Sequence, residues 1–150
     1  MIMVIKEIDY IYEEAERLSK GLNPIDKGRL ARYLLDEGKA EKNSVLSFCR
    51  VLMLHLLKCI HQPERTSRSW HNSIKNSYDS LYAYIGESKQ LYNYLKDNFD
   101  KVYRRARSDA SDETRLPLTT FPTENIFIID KILDEDWIYD FLEEHPIVEW

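Results

Sequence analysis

Residues 45–60 read Val45-Leu46-Ser47-Phe48-Cys49-Arg50-Val51-Leu52-Met53-Leu54-His55-Leu56-Leu57-Lys58-Cys59-Ile60. Drawn as a helix, this run places apolar side chains on nearly every side, from Val45 and Leu46 through Leu52, Met53 and Leu57 to Ile60. A helix of that kind is packed by neighbours all round, so it is expected at the centre of the fold. Ser47, Arg50, His55 and Lys58 interrupt the run too often for an ordinary membrane span. The helix is expected to begin around Ala40 and to end near His61, because Pro63 has no amide hydrogen and breaks it.

Toward the N-terminus, Ile8, Ile11, Ala15, Leu18 and Leu22 recur at 3-4-3-4 spacing, the stripe of an amphipathic helix that Gly21 helps to end. Asn23-Pro24 reads as an N-cap followed by Pro at the first helical position. The second helix is expected to turn Leu30, Tyr33 and Leu34 inward and to stop near Gly38. Toward the C-terminus, Ser67 or Ser69 caps a helix with Trp70, Ile74, Tyr78, Leu81 and Ile85 as its stripe. Gly86 and Ser88 supply a stop and a new cap, and Leu91, Leu95, Phe99, Val102 and Ala106 mark the next helix. Residues 115–125 hold two prolines and no helical period, so they should run extended over the surface before a short last helix around Ile128–Leu142.

With only 4 Gly and 5 Pro there is little material for the turns of an all-β fold. The expected architecture is all-α: a compact bundle of about five helices, an extended Pro-containing strap and a short C-terminal helix. At 150 residues the chain fits a single domain, residues 1–150, ending in an acidic aromatic tail over 137–150. Cys49 and Cys59 lie ten positions apart in one helix, about 15 Å at the helical rise and beyond disulfide reach. Two unpaired thiols, with no signal peptide in MIMVIKEIDY, point to the cytoplasm. The net charge of −5 is uneven. Residues 124–150 carry nine acids against Lys131, a charge of −8, so residues 1–123 carry −5 − (−8) = +3.

From about Asp9 to Asp136 the chain resembles the bacterial proteins catalogued as domain-of-unknown-function family 29. The resemblance rests on Arg50-Val51-Leu52-Met53-Leu54-His55-Leu56-Leu57-Lys58, then Gln62-Pro63-Glu64-Arg65 and Ser67-Arg68-Ser69-Trp70. It continues in Leu116-Pro117-Leu118, Phe121-Pro122 and Ile132-Leu133-Asp134-Glu135-Asp136. It implies an all-helical fold and no particular reaction. Two positions depart from the family's pattern: Cys59 stands where Trp is typical, and Arg32-Tyr33-Leu34-Leu35 replaces an acid-rich stretch. Roles built on those family carboxylates do not transfer to this chain.

The corner from His61 to Trp70 is the most informative polar stretch. Arg65 and Arg68, beside Glu64, His61 and a helix N-terminus, suit either capping of a broken helix end or binding of a phosphate or carboxylate. His55 and Cys59 share a helix face, and His61 and His71 flank the corner, but the spacing matches no standard zinc pattern. No metal or cofactor is therefore expected. Neither a nucleophile elbow, a Gly-rich phosphate loop nor a His-Glu-x-x-His motif occurs, and no catalytic residue is assigned. Arg104, Arg105 and Arg107 are read as cations favoured by a helix C-terminus, and an acidic chain with pI near 5.4 argues against nucleic acid. Tyr78, Tyr82, Tyr92 and Tyr103 are expected on or beside buried stripes with their hydroxyls at the surface, and Tyr84 and Tyr94 more exposed.

The tail mixes acids with Trp137, Ile138, Tyr139, Phe141, Leu142, Ile147, Val148 and Trp150. It either docks on its own domain or offers aromatics, notably Trp137, Tyr139, Phe141 and Trp150, to a partner's groove. The reading that follows is a non-enzymatic protein-binding or regulatory module, of antitoxin or immunity type, with a protein partner and neither membrane nor nucleic acid. The competing readings are an enzyme or metal protein built on His55, His61, Arg65 and Arg68, and a nucleic-acid-associated protein. Oligomeric state is open.

Overall fold

Residues 11–16, 18–20 and 27–148 are described by the computed structural model, in which contacts divide the chain into two units, 1–40 and 41–150. Residues 11–16 and 18–20 are helical (α1). Helix α2 spans Lys27–His61, α3 Arg68–Ile85, α4 Lys89–Thr114, α5 Ile129–Ile132 and α6 Glu135–Glu144. Single 3-10 turns lie at Pro63–Arg65 and Leu118–Thr120. Among the described residues there is no strand, so the fold is all-α as expected.

The second and third expected helices are one. Helix α2 runs 35 residues straight through Gly38. A lone glycine in a helix costs only about 1 kcal/mol against alanine, and ending the helix there would forfeit more hydrogen bonding than that. Open space surrounds the Gly38 Cβ position, so no close approach demands the residue. Helix α2 is also the described helix long and apolar enough to cross a membrane, and half of its most apolar window is buried within the protein.

In the first unit the expected stripe does not go inside. Leu18 and Leu34 are exposed, as are Tyr12 and Leu35, while Ile11, Leu30 and Tyr33 are only half-buried. An apolar stripe is buried only where another element stands opposite it, and spacing cannot report that. Ile8, Leu22, the Gly21 stop and the Asn23-Pro24 cap lie outside the described residues.

In the second unit the core forms around the later half of α2. Val45, Cys49, Leu52, Met53, Leu56, Leu57 and Cys59 have no exposed surface. Ile74, Tyr78, Leu81 and Ile85 of α3 and Leu91, Leu95, Phe99, Val102 and Ala106 of α4 pack inward at the expected spacing. Each such aliphatic or aromatic side chain contributes about 1.5–3 kcal/mol by leaving water. Both new helices start at the expected serines. Ser67 accepts from the Trp70 amide at 3.2 Å, and Ser88 from the Leu91 amide at 3.2 Å. Gly86 stays right-handed with φ −40°. Its requirement is closeness instead, since a Cβ there would meet the Tyr82 carbonyl oxygen at 3.0 Å. The left-handed residue is Arg115, φ 60°, at the end of α4.

Beyond α4 the chain crosses the surface as expected, with the Leu118–Thr120 turn inside the crossing. The last helix is two. Asp134 accepts from the Asp136 amide at 2.9 Å and caps α6, separating it from the single turn of α5.

Candidate functional site

The corner and the tail, read separately in the sequence, meet in the structure. The Val148 amide donates to the Thr66 carbonyl at 2.8 Å. The His71 ring, buried, donates through Nε2 to the His145 carbonyl at 2.7 Å, across 74 residues. Thr66 and His71 carried no signal that would have found this role, because their partners are carbonyl and amide groups that every residue possesses.

Around that seam the corner is organised locally. Pro63–Arg65 forms the 3-10 turn, and the Thr66 amide returns to the Pro63 carbonyl. The Gln62 amide bonds the Lys58 carbonyl at the end of α2. Glu64, Arg65 and Arg68 stand exposed on the outer side. His61 is half-buried with its ring edge-on to Phe121 at 5.1 Å. Its Nε2 is buried without a hydrogen-bond partner, and burial holds the imidazole below its usual pKa.

Helix α6 turns Ile138, Phe141 and Leu142 inward. Trp137, Phe141 and His145 stack along its length at 5.6 and 4.1 Å. Phe141 is thus occupied in docking the helix. Tyr139 is 51% exposed, and Glu135, Asp136, Asp140 and Glu143 around it are exposed too. Helical geometry puts Glu135, Asp136 and Glu143 within one turn of the tyrosine on its own side. Ile147 and Val148 remain partly exposed, and Trp150 lies outside the described residues.

Histidine and cysteine positions do not converge. His55 donates from Nδ1 to the Val51 carbonyl at 2.9 Å, and burial lowers its pKa. Six positions later on α2, His61 faces another side of the helix. Cys49 and Cys59 are buried free thiols. Burial raises both, Cys59 to about 11 against the opposing influence of the Thr66 hydroxyl and the Lys58 charge. Among the described residues no group of three or more His, Cys, Asp or Glu is gathered to hold a metal ion.

Several polar side chains take structural positions that spacing did not reveal. The Tyr78 hydroxyl donates to the Leu133 carbonyl at 3.2 Å, Tyr92 to Asp130 at 2.6 Å and Tyr103 to the Pro122 carbonyl at 2.6 Å. These hydroxyls staple the helices to the segments after α4, that of Tyr92 at the surface as expected and those of Tyr78 and Tyr103 in part-buried bonds. Tyr82 is exposed, and Tyr94 is the less exposed of the pair expected outside, with the Lys42 ammonium 5.2 Å from its ring. Arg107 is no dipole-neutralising cation, since α4 continues to Thr114. It donates from Nε to the Phe121 carbonyl and from Nη2 to the Leu118 carbonyl, both at 3.0 Å.

Residues 7–138 match the family profile described as domain of unknown function DUF29, and the chain belongs to that family. No curated protein and no solved structure matches it.

Proposed function

We propose that the protein is a non-enzymatic, regulatory protein-binding module whose partner presents a basic surface. The observation that carries this reading is Tyr139, half exposed on α6 and bordered by the exposed carboxylates Glu135, Asp136 and Glu143. Exposed tyrosine is enriched at protein interfaces, where its ring supplies contact area and its hydroxyl a polar end. The bordering acids would steer and orient a cationic partner. The corner–tail seam adds Arg65, Arg68, Ile147 and Val148 as further accessible groups. Separately, the N-terminal unit exposes the large apolar side chains Tyr12, Leu18, Leu34 and Leu35. Two free thiols fit a reducing, cytoplasmic setting.

The test is an affinity capture with tagged protein, comparing wild type with Tyr139→Ala/Glu143→Lys and with Arg65→Ala/Arg68→Ala. Point variants are needed because deleting α6 would expose the sites of Ile138, Phe141 and Leu142. The expected result is a stoichiometric basic protein, lost with the first variant and weakened by salt. Absence of any stoichiometric protein, or a partner indifferent to both variants, would overturn the reading.

A further inference from the structure

Helices α2 and α4 run side by side in the same direction, and their facing side chains form a ladder. The Lys42 ammonium stands 5.2 Å from the Tyr94 ring, Arg50 pairs with Asp109, and Lys58 pairs with Glu113 at 3.2 Å. Every one of these rungs joins a cation to a group that attracts it. Between the first and the second the pattern fails. There the helices border a cleft of about 180 Å³ with Asn43, Ser47 and Arg50 on one wall and Lys101 and Arg105 on the other. Leu46 and Val102 supply its apolar part, and no carboxylate is among its lining residues.

Lys101 and Arg105 are exposed, and among the described residues neither side chain makes an ion pair or hydrogen bond. They repel one another across one helical turn. Since α4 extends to Thr114, both lie well before its last turn and gain nothing from the helix dipole. The three neighbouring arginines of this helix therefore divide: Arg107 holds the strap, Arg104 lines a depression with Asp100 and Glu124, and Arg105 faces the cleft without a counter-charge.

We infer that this cleft binds a doubly charged oxyanion, namely a phosphoryl group, either as free phosphate or carried by a small molecule. The charge balance supports that class. Asp109 offsets Arg50, which leaves the charges of Lys101 and Arg105, and a phosphoryl group carries about −1.5 to −2 at neutral pH. A single carboxylate would leave one cation uncompensated. Arg105 offers a planar fork of donors, Lys101 a mobile point charge, and the Ser47 hydroxyl and Asn43 amide neutral donors for remaining oxygens. The volume is ample for one such group together with bound water. The apolar wall strengthens the attraction by excluding solvent from one side. This site is independent of the α6 face.

A test is amide NMR titration with inorganic phosphate and, separately, with glycerol phosphate, at constant ionic strength maintained with chloride. Saturable shifts centred on Ser47 and Lys101 are expected, with affinity falling at least tenfold in Lys101→Met/Arg105→Met and unchanged in Lys96→Met. Arg105→Glu is the second variant. It places a carboxylate in the gap and should abolish the response with the fold intact. Tighter binding of glycerol phosphate assigns the site to a phosphorylated small molecule, and equal binding assigns it to phosphate itself. Shifts that never saturate, or that persist in both cleft variants, would overturn the inference.

Discussion

Two segments without helix lie over the second unit, and they are held in different ways. The strap, residues 115–128, is pinned along its length. Arg107 bonds two of its carbonyls, Tyr103 a third, and the Ser111 hydroxyl a fourth, that of Leu116, at 2.7 Å. Phe121 is 1% exposed and Phe127 is buried. The tail after α6 is held by the two bonds of its seam, while Ile147 and Val148 keep more than a third of their surface in water. Fixing each residue's backbone costs about 1–2 kcal/mol. The strap offsets that cost with buried aromatics and charge-assisted bonds. Over residues 145–148 the tail offsets it with two hydrogen bonds and the partial burial of Ile147 and Val148.

The largest expected effect is in the strap. Phe121→Ala removes a fully buried ring that also packs against His61, and should destabilise the protein by about 3–5 kcal/mol, read as a shift in the urea midpoint at constant slope. A loss below about 1 kcal/mol would place the strap in the same energetic class as the tail.

Acidification should act next, and through the side of the corner that faces the strap. His61 and His55 both have pKa values lowered by burial, so the unfolded chain takes up protons first as pH falls below the ordinary value of 6.5. Their contribution is complete above that value and is lost progressively below it. The urea midpoint should therefore fall between pH 7.5 and pH 5, and His61→Gln should reduce that dependence. A midpoint indifferent to the substitution would remove His61 from the account.

The smallest effect belongs to the tail. A chain ending at His145 loses the Val148–Thr66 bond and the partial burial of Ile147 and Val148, and should lose no more than about 1 kcal/mol. For a domain of this size that is roughly 2–4 °C in Tm. A drop comparable to that of Phe121→Ala would show the tail to be as structural as the strap.

Much of this architecture was legible because it depends on local chemistry. The serine caps at Ser67 and Ser88, the break at Pro63 and the stripes of α3 and α4 each follow from neighbours within a few residues. Gly38 was misleading because a glycine lowers helix stability without abolishing it, and the surrounding residues favour continuation. The corner's arginines were conspicuous by type, while the backbone bonds of its 3-10 turn use groups that every residue but proline possesses. The α2–α4 cleft was illegible as a site. Its walls come from residues some sixty positions apart, and the one local sign was a pair of like charges spaced a helical turn apart on α4.

By itself the sequence determined an all-helical chain, its central helix, the caps at Ser67 and Ser88 and the family to which it belongs. Periodicity, capping and chain breaks act over single turns, so they can be read one turn at a time. Only the tertiary structure decided that the tail closes on Thr66 and His71, that the Tyr103 hydroxyl and Arg107 are spent on the strap, and that Lys101 and Arg105 face a cleft lined by no carboxylate. Those outcomes depend on which helix faces stand opposite one another, and that is set by packing the core as a whole.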